Sequence, residues 1–341
     1  MDYSKDSNQR KSSHKRRRRR RRKKSAGVVI IKIIIVAAIV CAFAGVGALL
    51  GVYMGIIEKS PSINIADVVP DSYTSIIYDN AGNEIDMLHS VENREYVKLS
   101  DIPDNLKNAV VAIEDERFYE HNGVDMRGIA RALVENIKAG KFAQGASTIT
   151  QQLIKNEKLE PEKKLTRKII EQYMAVNLEK ELTKSLGSKE KAKNYILELY
   201  LNTISLNHGL NGVQAAAKFY FGKDVSELTL SECACIAGIT KNPSLYSPVS
   251  NPEANKTRMS TVLYKMYELG YITKEEYDEA KADDIYSRII GNTTEEGDTT
   301  SSHSYFVDAV VVALAKQLQQ ERGMTEQQAY NAIYSGGLQI Y

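Results

Sequence analysis

Two neighbouring carboxylates at the end of a predicted helix are the first residues that could do chemistry. Glu114 and Asp115 follow a stretch whose apolar residues recur at helical spacing. Among apolar neighbours such as Ile113 and Phe118, a carboxylate can take or give a proton near neutral pH, as a general base or acid does. Taken alone, the segment also fits a solvated acidic helix end.

A hydroxyl-rich segment about thirty residues later has the composition of a phosphate-binding helix start. Ser147 and Thr148 precede a short helical pattern, and Gln151 and Gln152 lie four and three positions before Lys155. At that spacing the three side chains can share one helix face. Helix N-terminal amides, hydroxyls and a lysine would suit a phosphate oxygen. The alternative is a well-capped helix with no ligand.

A third segment places two cations beside an acid. Arg167 and Lys168 lie four and three positions before Glu171, so both can flank its carboxylate on one helix face. On a protein surface such a pair is ordinary and contributes little to stability. It would indicate an anion-binding function only if it lined a cleft together with Lys155.

Helices must position all three segments. The hydrophobic spacing predicts helices over most of residues 103–269, then further helices after the loop described below. Residues 229–239 are nearly all apolar, which indicates a buried helix. Capping side chains and Asn-Pro or Thr-x-x-Glu patterns predict helix starts at Thr166, Ser188, Thr229, Asn251, Thr273 and Thr325.

Short strand-like runs lie on either side of the helical region. Residues 75–78 and 84–88 flank an Asp-Asn-Ala-Gly-Asn turn, which predicts a hairpin, and residues 94–99 could add a third strand. Residues 290–304 are polar and rich in Gly, Thr and Ser, which predicts a flexible loop. Residues 336–341 have the pattern of a strand with no partner, which suggests that the chain was cut there.

The N-terminal region differs sharply in charge from the rest of the chain. Residues 1–24 carry 13 Lys and Arg against two Asp, whereas the remainder holds 32 basic and 41 acidic side chains. A basic run alone would suggest nucleic-acid binding, but residues 33–57 carry no charge, and about 20 apolar residues span a bilayer. A signal peptide would have a shorter apolar region. The positive-inside rule predicts a cytoplasmic N-terminus, an uncleaved single-pass anchor and a body outside the membrane, with no nucleic-acid partner.

Small residues in the chain have more than one interpretation. Gly47, Gly51 and Gly55 recur at the spacing of a helix-dimer face, although glycine is common in membrane helices generally, so a homodimer stays an open alternative. Three cysteines cannot form a disulfide framework. Cys233 and Cys235 lack the further ligands that a metal site needs and are predicted to be small core residues.

Taken together, the three segments resemble the peptidoglycan glycosyltransferase domain (glycosyltransferase family 51) of class A penicillin-binding proteins and monofunctional transglycosylases. The matching motifs occur in family order over about residues 70–280. They are EDERFYEHNG (114–123), GASTITQQLIKN (145–156), RKIIE (167–171) and ILELYLN (196–202), continued by GVQAAAKFYFGK (212–223) and AGITKNPSLYSP (237–248). The resemblance implies a mainly α, lysozyme-like fold with a small β-hairpin region, preceded by one transmembrane helix.

The resemblance also implies a domain plan. We expect a basic cytoplasmic tail (1–24), a transmembrane anchor (25–57) and a linker with a membrane-proximal β-hairpin region (58–100). A glycosyltransferase domain (101–285) would follow. Residues 286–341 would form a flexible loop, helices and the start of a linker toward a transpeptidase domain that is missing from this chain.

The roles of individual residues follow from the same resemblance. Glu114 would be the base that takes the proton of the acceptor hydroxyl, and Glu171 would orient the cations or assist the leaving group. The substrates would be lipid II and the growing glycan chain, with a divalent cation such as Mg²⁺ as an aid at the pyrophosphate, although the sequence shows no dedicated metal ligands. Membrane lipids and cell-wall synthesis proteins are further expected partners. The expected substrate-binding residues are Asp115, Phe118, His121, Ser147, Thr148, Gln151, Gln152, Lys155, Asn156, Arg167 and Lys168.

Two other functional classes remain to be distinguished. A lysozyme-like hydrolase would also use a glutamate, but it would not need the Lys and Arg residues that suit a pyrophosphate. A membrane scaffold without catalytic activity and with a nucleic-acid-binding tail would account for residues 1–57 only.

Overall fold

The computed structural model describes residues 26–58, 60, 63, 65–68, 73–88, 95–140, 145–158, 164–291 and 304–341. The chain divides into two compact units between Gly55 and Ile56. The predicted basic tail and most of the predicted loop at 290–304 lie outside the described residues. The domain boundaries that the sequence suggests within the second unit stay predictions.

The first helix, α1 (Ala26–Glu58), carries the predicted membrane span. Its segment Ile30–Glu58 has 29 residues, a mean hydropathy of 2.9 and no buried side chains in its most apolar window. A helix of this length rises well over the thickness of a bilayer's hydrocarbon core. By length and composition, α1 is therefore able to anchor the protein in a membrane.

The second unit is built mainly from helices around one large apolar core. Helix α8 is buried along its whole length and packs against α2 and α9, which together place the end of α2 beside the end of α8. Helices α4 and α5 both pack against α6. The helices are α2 (Asp104–Glu114), α3 (Met126–Ala139), α4 (Ile149–Lys158), α5 (Lys164–Leu186), α6 (Lys189–Thr203), α7 (Val213–Phe221), α8 (Leu230–Ile239), α9 (Pro252–Glu268) and α10 (Lys274–Ala282).

Local capping signals predicted most helix starts correctly. Ser188 caps α6 by accepting from the Lys191 amide, and Thr229 and Thr273 form capping boxes at α8 and α10. The prediction for Thr166 is wrong, because α5 already includes Lys164. A residue inside a helix has helical backbone angles and cannot occupy the extended N-cap position.

The predicted hairpin is confirmed as β1 (Ser75–Tyr78) and β2 (Glu84–Leu88), which pair antiparallel. The third strand is not where the sequence suggested. Residues 95–98 have no regular structure and begin a short 3₁₀ turn at Leu99. Two helices, α11 (Tyr305–Arg322) and α12 (Glu326–Ser335), lead instead to β3 (Gln339–Ile340), which pairs parallel with β1.

The pairing of β3 also overturns the expectation of an unpartnered terminal strand. Ile76 and Ile77 of β1 lie opposite Gln339 and Ile340, more than 250 residues away in sequence. A parallel partner must come through a crossover, so neighbouring sequence carries no sign of it. Val307 of α11 and Ile333 of α12 pack with the sheet in a second, small apolar core. The predicted class, mainly α with a small β region, is confirmed.

The two cysteines of α8 lie where the sequence placed them. Cys233 and Cys235 are fully buried, and burial raises the pKa of both thiols. They are apolar core residues in this helix.

Candidate active site

A cleft of about 560 Å³ opens at the C-terminal end of α2. Its walls come from the end of α2, one face of α3, residues 145–148 ahead of α4, and one face of α9. Because α2 and α9 both pack on the buried helix α8, this opening is held on a rigid base. The residues that line it include Glu114, Asp115, Glu116, Arg131, Ser147, Thr148, Gln152, Lys241, Arg258 and Lys265.

Glu114 is the last residue of α2, and its half-buried carboxylate is held on both oxygens. Gln152 Nε2 donates to Oε2 at 2.8 Å, and Thr240 Oγ1 lies 2.5 Å from Oε1. The sequence predicted apolar surroundings for this carboxylate. Its immediate partners are instead neutral polar groups, brought in from α4 and from the end of α8.

The orientation of Gln152 is set from behind by a buried tyrosine. Tyr200 of α6 is fully buried, and its hydroxyl donates to Gln152 Oε1 at 3.1 Å. Burial, followed by the nearby charges of Glu114 and Asp115, raises the pKa of Tyr200 well above its usual value. The phenol therefore stays protonated and keeps its donor, so the amide NH₂ of Gln152 points at Glu114.

Arg258 of α9 supplies a positive charge to the same cleft. Burial lowers the pKa of its guanidinium, and the opposite charge of Glu114 partly offsets that effect. Its Nε is buried without a hydrogen-bond partner, and the guanidinium carbon lies 5.9 Å from the Tyr246 ring centroid. Sequence reasoning missed this arginine, because it lies outside the recognised motifs, the last of which ends at Pro248.

The outer part of the cleft carries a network of ion pairs. Glu116 pairs with Arg131 of α3 and with Arg117 at 2.6 Å, and Arg117 also pairs with Asp125 at 2.6 Å. Burial alone would raise the pKa of Glu116, but the hydrogen bond from Arg131 and the surrounding cations bring it below its usual value. The network joins the loop after α2 to α3, and so fixes the wall opposite Ser147.

The predicted cation cluster forms on α5 and reaches the cleft through a serine. Lys168 Nζ lies 2.7 Å from Ser147 Oγ, 3.1 Å from Gln151 Oε1 and 2.8 Å from Glu171 Oε2. Arg167 Nε lies 3.2 Å from Glu171 Oε1. Glu171 is only 3% exposed, whereas its two cations are about a third exposed. The buried acid thus holds two cations whose outer sides remain open.

The segment before α4 is held by a helix cap. The Thr148 hydroxyl accepts from the backbone N–H of Gln151 at 3.2 Å and donates to the carbonyl oxygen of Gly123 at 2.7 Å. Gly123 has φ +85°, and a Cβ there would come within 2.6 Å of the backbone of Ala175. Only glycine allows the chain to pass this close to α5. Both predicted residues, Thr148 and Gln151, are therefore buried in a helix cap, and Thr148 also lines the cleft.

A buried charge network lies beneath the cleft. Both carboxylate oxygens of Asp115 are within 3.0 Å of His121 Nε2, and one accepts from the Ile149 amide that begins α4. Lys193 Nζ lies 3.4 Å from His121 Nδ1 and 2.7 Å from Glu179 Oε1. Burial lowers the pKa of Lys193 despite the neighbouring Glu179. The network ties the loop after α2 to helices α4, α5 and α6.

The structure therefore sorts the predicted residues by position. Glu114, Asp115, Ser147, Thr148 and Gln152 line the cleft, and Asp115 also joins His121 in the buried network beneath it. Phe118 is fully buried, with Lys193 Nζ 4.4 Å from its ring centroid. Lys155 and Asn156 are exposed on α4, whereas Gln151, one turn before Lys155, is buried. Lys155 and the pair Arg167 and Lys168 are not among the residues that line the cleft, so the cations do not line it together with Lys155. The binding roles given to these residues stay predictions.

Comparison with known proteins assigns the family. Residues 81–267 match the family model described as Transglycosylase. The chain belongs to this family. Penicillin-binding protein 1A of Clostridium botulinum strain Hall is 38% identical over 87% of this chain and 36% of that protein. Penicillin-binding protein 1A of Clostridium perfringens strain 13 is 40% identical over 86% of this chain and 43% of that protein.

The transglycosylase thus spans roughly two fifths of the length of these two relatives. A solved structure of penicillin-binding protein 1A from Haemophilus influenzae is 26% identical over 79% of this chain and 26% of that chain, with a TM-score of 0.37. Family membership rests on the family match, which covers more than half of the chain. The predicted activity class, a peptidoglycan glycosyltransferase of cell-wall synthesis, is confirmed at this level.

No group of three or more His, Cys, Asp or Glu that could hold a metal ion occurs among the described residues of the transglycosylase. The charged groups that approach the cleft from α5 are cations and the glutamate they enclose. This donor set suits an anionic substrate group.

Proposed function

We propose that this transglycosylase polymerises lipid II, a disaccharide-pentapeptide carried on undecaprenyl pyrophosphate, into glycan strands. The donor is the growing chain, whose reducing-end sugar is linked to the pyrophosphate. The acceptor is the 4-hydroxyl of the next lipid II. The products are a chain longer by one disaccharide unit and free undecaprenyl pyrophosphate.

One observation carries this proposal: a carboxylate with neutral hydrogen-bond partners lines the cleft, and a cation cluster contacts Ser147 in the wall of the same cleft. Glu114 lines the cleft together with Ser147, and Ser147 Oγ lies 2.7 Å from Lys168 Nζ. A hydrolase would use carboxyl groups and would not need the cations. A transferase that expels a pyrophosphate needs a proton acceptor on one side of the reacting carbon and positive charge on the other.

The roles follow from this arrangement. Glu114 takes the proton of the acceptor 4-hydroxyl while the hydroxyl oxygen attacks the anomeric carbon of the donor. The bond from that carbon to the pyrophosphate oxygen breaks, and its electron pair leaves with the pyrophosphate. Because attack and departure occur on opposite faces, the anomeric configuration inverts. Lys168 and Arg167 offset the charge that develops on the leaving group, with Glu171 holding both cations in place.

The exposed Lys155 and Asn156 would contact more distant parts of the substrate at the open end of α4. A divalent cation such as Mg²⁺ would bind through the pyrophosphate oxygens and add positive charge there. The reaction site would lie on the outer side of the membrane in which α1 is anchored, where membrane lipids and other cell-wall synthesis proteins would be its partners. Protease added outside intact spheroplasts should then remove the body of the protein.

The experiment that tests the proposal is incubation of the purified full chain with labelled lipid II. Electrophoresis of the products should show a ladder of glycan polymers and release of undecaprenyl pyrophosphate. Pre-formed glycan strands are offered in a parallel reaction. Shortened strands without polymer would indicate a hydrolase, and an unchanged substrate in both reactions would indicate a protein without this chemistry. Either result would overturn the proposal.

A further inference from the structure

A threonine outside the predicted site residues contacts the candidate base. Thr240 directly follows α8, and its Oγ1 lies 2.5 Å from Glu114 Oε1 and 2.9 Å from the carbonyl oxygen of Ala237. The threonine is half-buried and does not line the cleft. It therefore stands behind the carboxylate, away from the position that a substrate would take.

The two contacts compete for one proton. A threonine hydroxyl has one hydrogen to donate and two lone pairs to accept. While Glu114 is ionised, the hydroxyl donates to Oε1. Once Glu114 is protonated on Oε1, the hydroxyl can accept from it and turn its own hydrogen to Ala237 O. Both states of the carboxyl group are then satisfied without movement of the backbone.

Gln152, the partner of Glu114 Oε2, cannot serve both protonation states. Gln152 presents its NH₂ group to Glu114 Oε2, because its own oxygen accepts from the buried Tyr200. An amide NH₂ donates and does not accept. Of the hydrogen-bond partners of Glu114 among the described residues, Thr240 is the one able to serve both protonation states.

We propose that Thr240 is a positioning residue that holds Glu114 for proton transfer, donating to the ionised carboxylate before the reaction and accepting from the carboxylic acid after it. This inference rests on the proposed role of Glu114 as the base. The proton that moves is that of the acceptor hydroxyl, which ends on Glu114. The hydrogen of Thr240 only reorients and never leaves its oxygen.

The expected pH effect follows because the hydrogen bond from Thr240 to ionised Glu114 is stronger than the bond to protonated Glu114. Hydrogen bonds to an ionised group are roughly twice as strong as neutral ones, so loss of the hydroxyl penalises ionised Glu114 more than its protonated form. The other groups that face this carboxylate are Gln152 from α4, Tyr200 from α6 and Arg258 from α9, with Asp115 next along the chain. None of these is changed by a substitution at Thr240. The acid limb of activity should therefore move to higher pH.

The test compares Thr240→Val, which is nearly isosteric and lacks the hydroxyl, with Thr240→Ser, which retains it. The matched control is Thr203→Val. Thr203 also ends a helix and donates to the carbonyl three residues back, Tyr200 O at 3.4 Å, but it is given no part in the cleft. Polymerisation of lipid II by the full chain is followed from pH 5 to 9, and Tm is measured for every variant.

We expect Thr240→Val to lower kcat about tenfold, the scale of one hydrogen bond to a charged group, with KM within about twofold. The acid limb of kcat/KM should rise by about one pH unit. Thr240→Ser should recover most of both effects, and Thr203→Val should behave as the parent. If the valine variant has a clearly lowered Tm, Thr240→Ala is compared with Thr240→Ser in its place.

A Thr240→Val profile that matches Thr203→Val would overturn the proposal, as would a serine variant as impaired as the valine variant. Glu114→Gln is measured in the same assay to separate the two levels of the argument. If Glu114→Gln polymerises lipid II, the proposed base is wrong. If it is inactive while Thr240→Val resembles the parent, only the role of Thr240 is wrong.

Discussion

Glu114 and Glu171 are both glutamates that helices place at or near one cleft, but their partners differ in charge. Glu114 ends α2, is half-buried and accepts hydrogen bonds from the neutral groups of Gln152 and Thr240. Glu171 lies inside α5, is 3% exposed and is enclosed by Arg167 and Lys168. One carboxylate faces the space where a substrate would react, and the other faces its own cations.

The difference shows that the surroundings of two identical side chains determine which function each can perform. The carboxylate of Glu171 lies between two cations and holds both of them in position. The carboxylate of Glu114 has neutral hydrogen-bond donors and lies beside the space where a substrate would react. Pairs of acids whose surroundings diverge in this way mark the division between base and support.

The largest expected effect is on turnover. Glu114→Gln keeps the shape of the side chain but removes its ability to take a proton, so we expect kcat for lipid II polymerisation to fall by at least ~10²-fold. Initial rates with labelled lipid II measure this directly. A variant that polymerises near the parent rate would remove the distinction between the two glutamates.

The second prediction concerns a third glutamate, Glu179, which is buried and does not face the substrate. Lys193→Met would leave Glu179 buried without its cation, which costs about 3 kcal/mol or more and should lower Tm by roughly 6 °C or more. The control is Lys274→Met, which removes an exposed, solvent-screened ion pair with Asp278 and should leave Tm nearly unchanged. Equal shifts for both variants would show that the buried network does not stabilise the base of the cleft.

The third prediction concerns the cations around Glu171. Lys168→Met removes the donor shared by Ser147, Gln151 and Glu171, and should weaken binding of a lipid II analogue with a blocked 4-hydroxyl about tenfold. Such an analogue can act only as a donor. Lys180→Met, at an exposed position of the same helix, is the control and should bind as the parent does. Unchanged affinity in Lys168→Met would place the pyrophosphate elsewhere.

Local sequence was sufficient for most helix starts, for the hairpin and for part of the site. The capping boxes at Thr229 and Thr273 and the hairpin at 75–88 depend on neighbouring residues, so their patterns are visible without a structure. The ion pairs of Glu171 were also predictable, because helical spacing alone brings Arg167 and Lys168 beside it.

The contacts that distinguish Glu114 could not be found in the same way. Thr240 lies 126 positions from Glu114 in sequence, and Gln152 lies 38 positions away. Packing of α2, α4 and α8 in the core brings these groups together, and no local sequence pattern encodes this packing. The pairing of β3 could not be predicted for the same reason, because its partner strand β1 lies near the other end of the second unit in sequence.

The most direct test of the account measures binding and turnover on the same preparations of the parent, Glu114→Gln and Glu171→Gln. Affinity is measured for the 4-hydroxyl-blocked lipid II analogue, and turnover for lipid II itself. We predict that Glu114→Gln loses turnover while its affinity stays within about twofold of the parent, and that Glu171→Gln loses turnover and about tenfold in affinity. If Glu114→Gln weakens binding as much as Glu171→Gln does, the two glutamates do not divide the work as proposed.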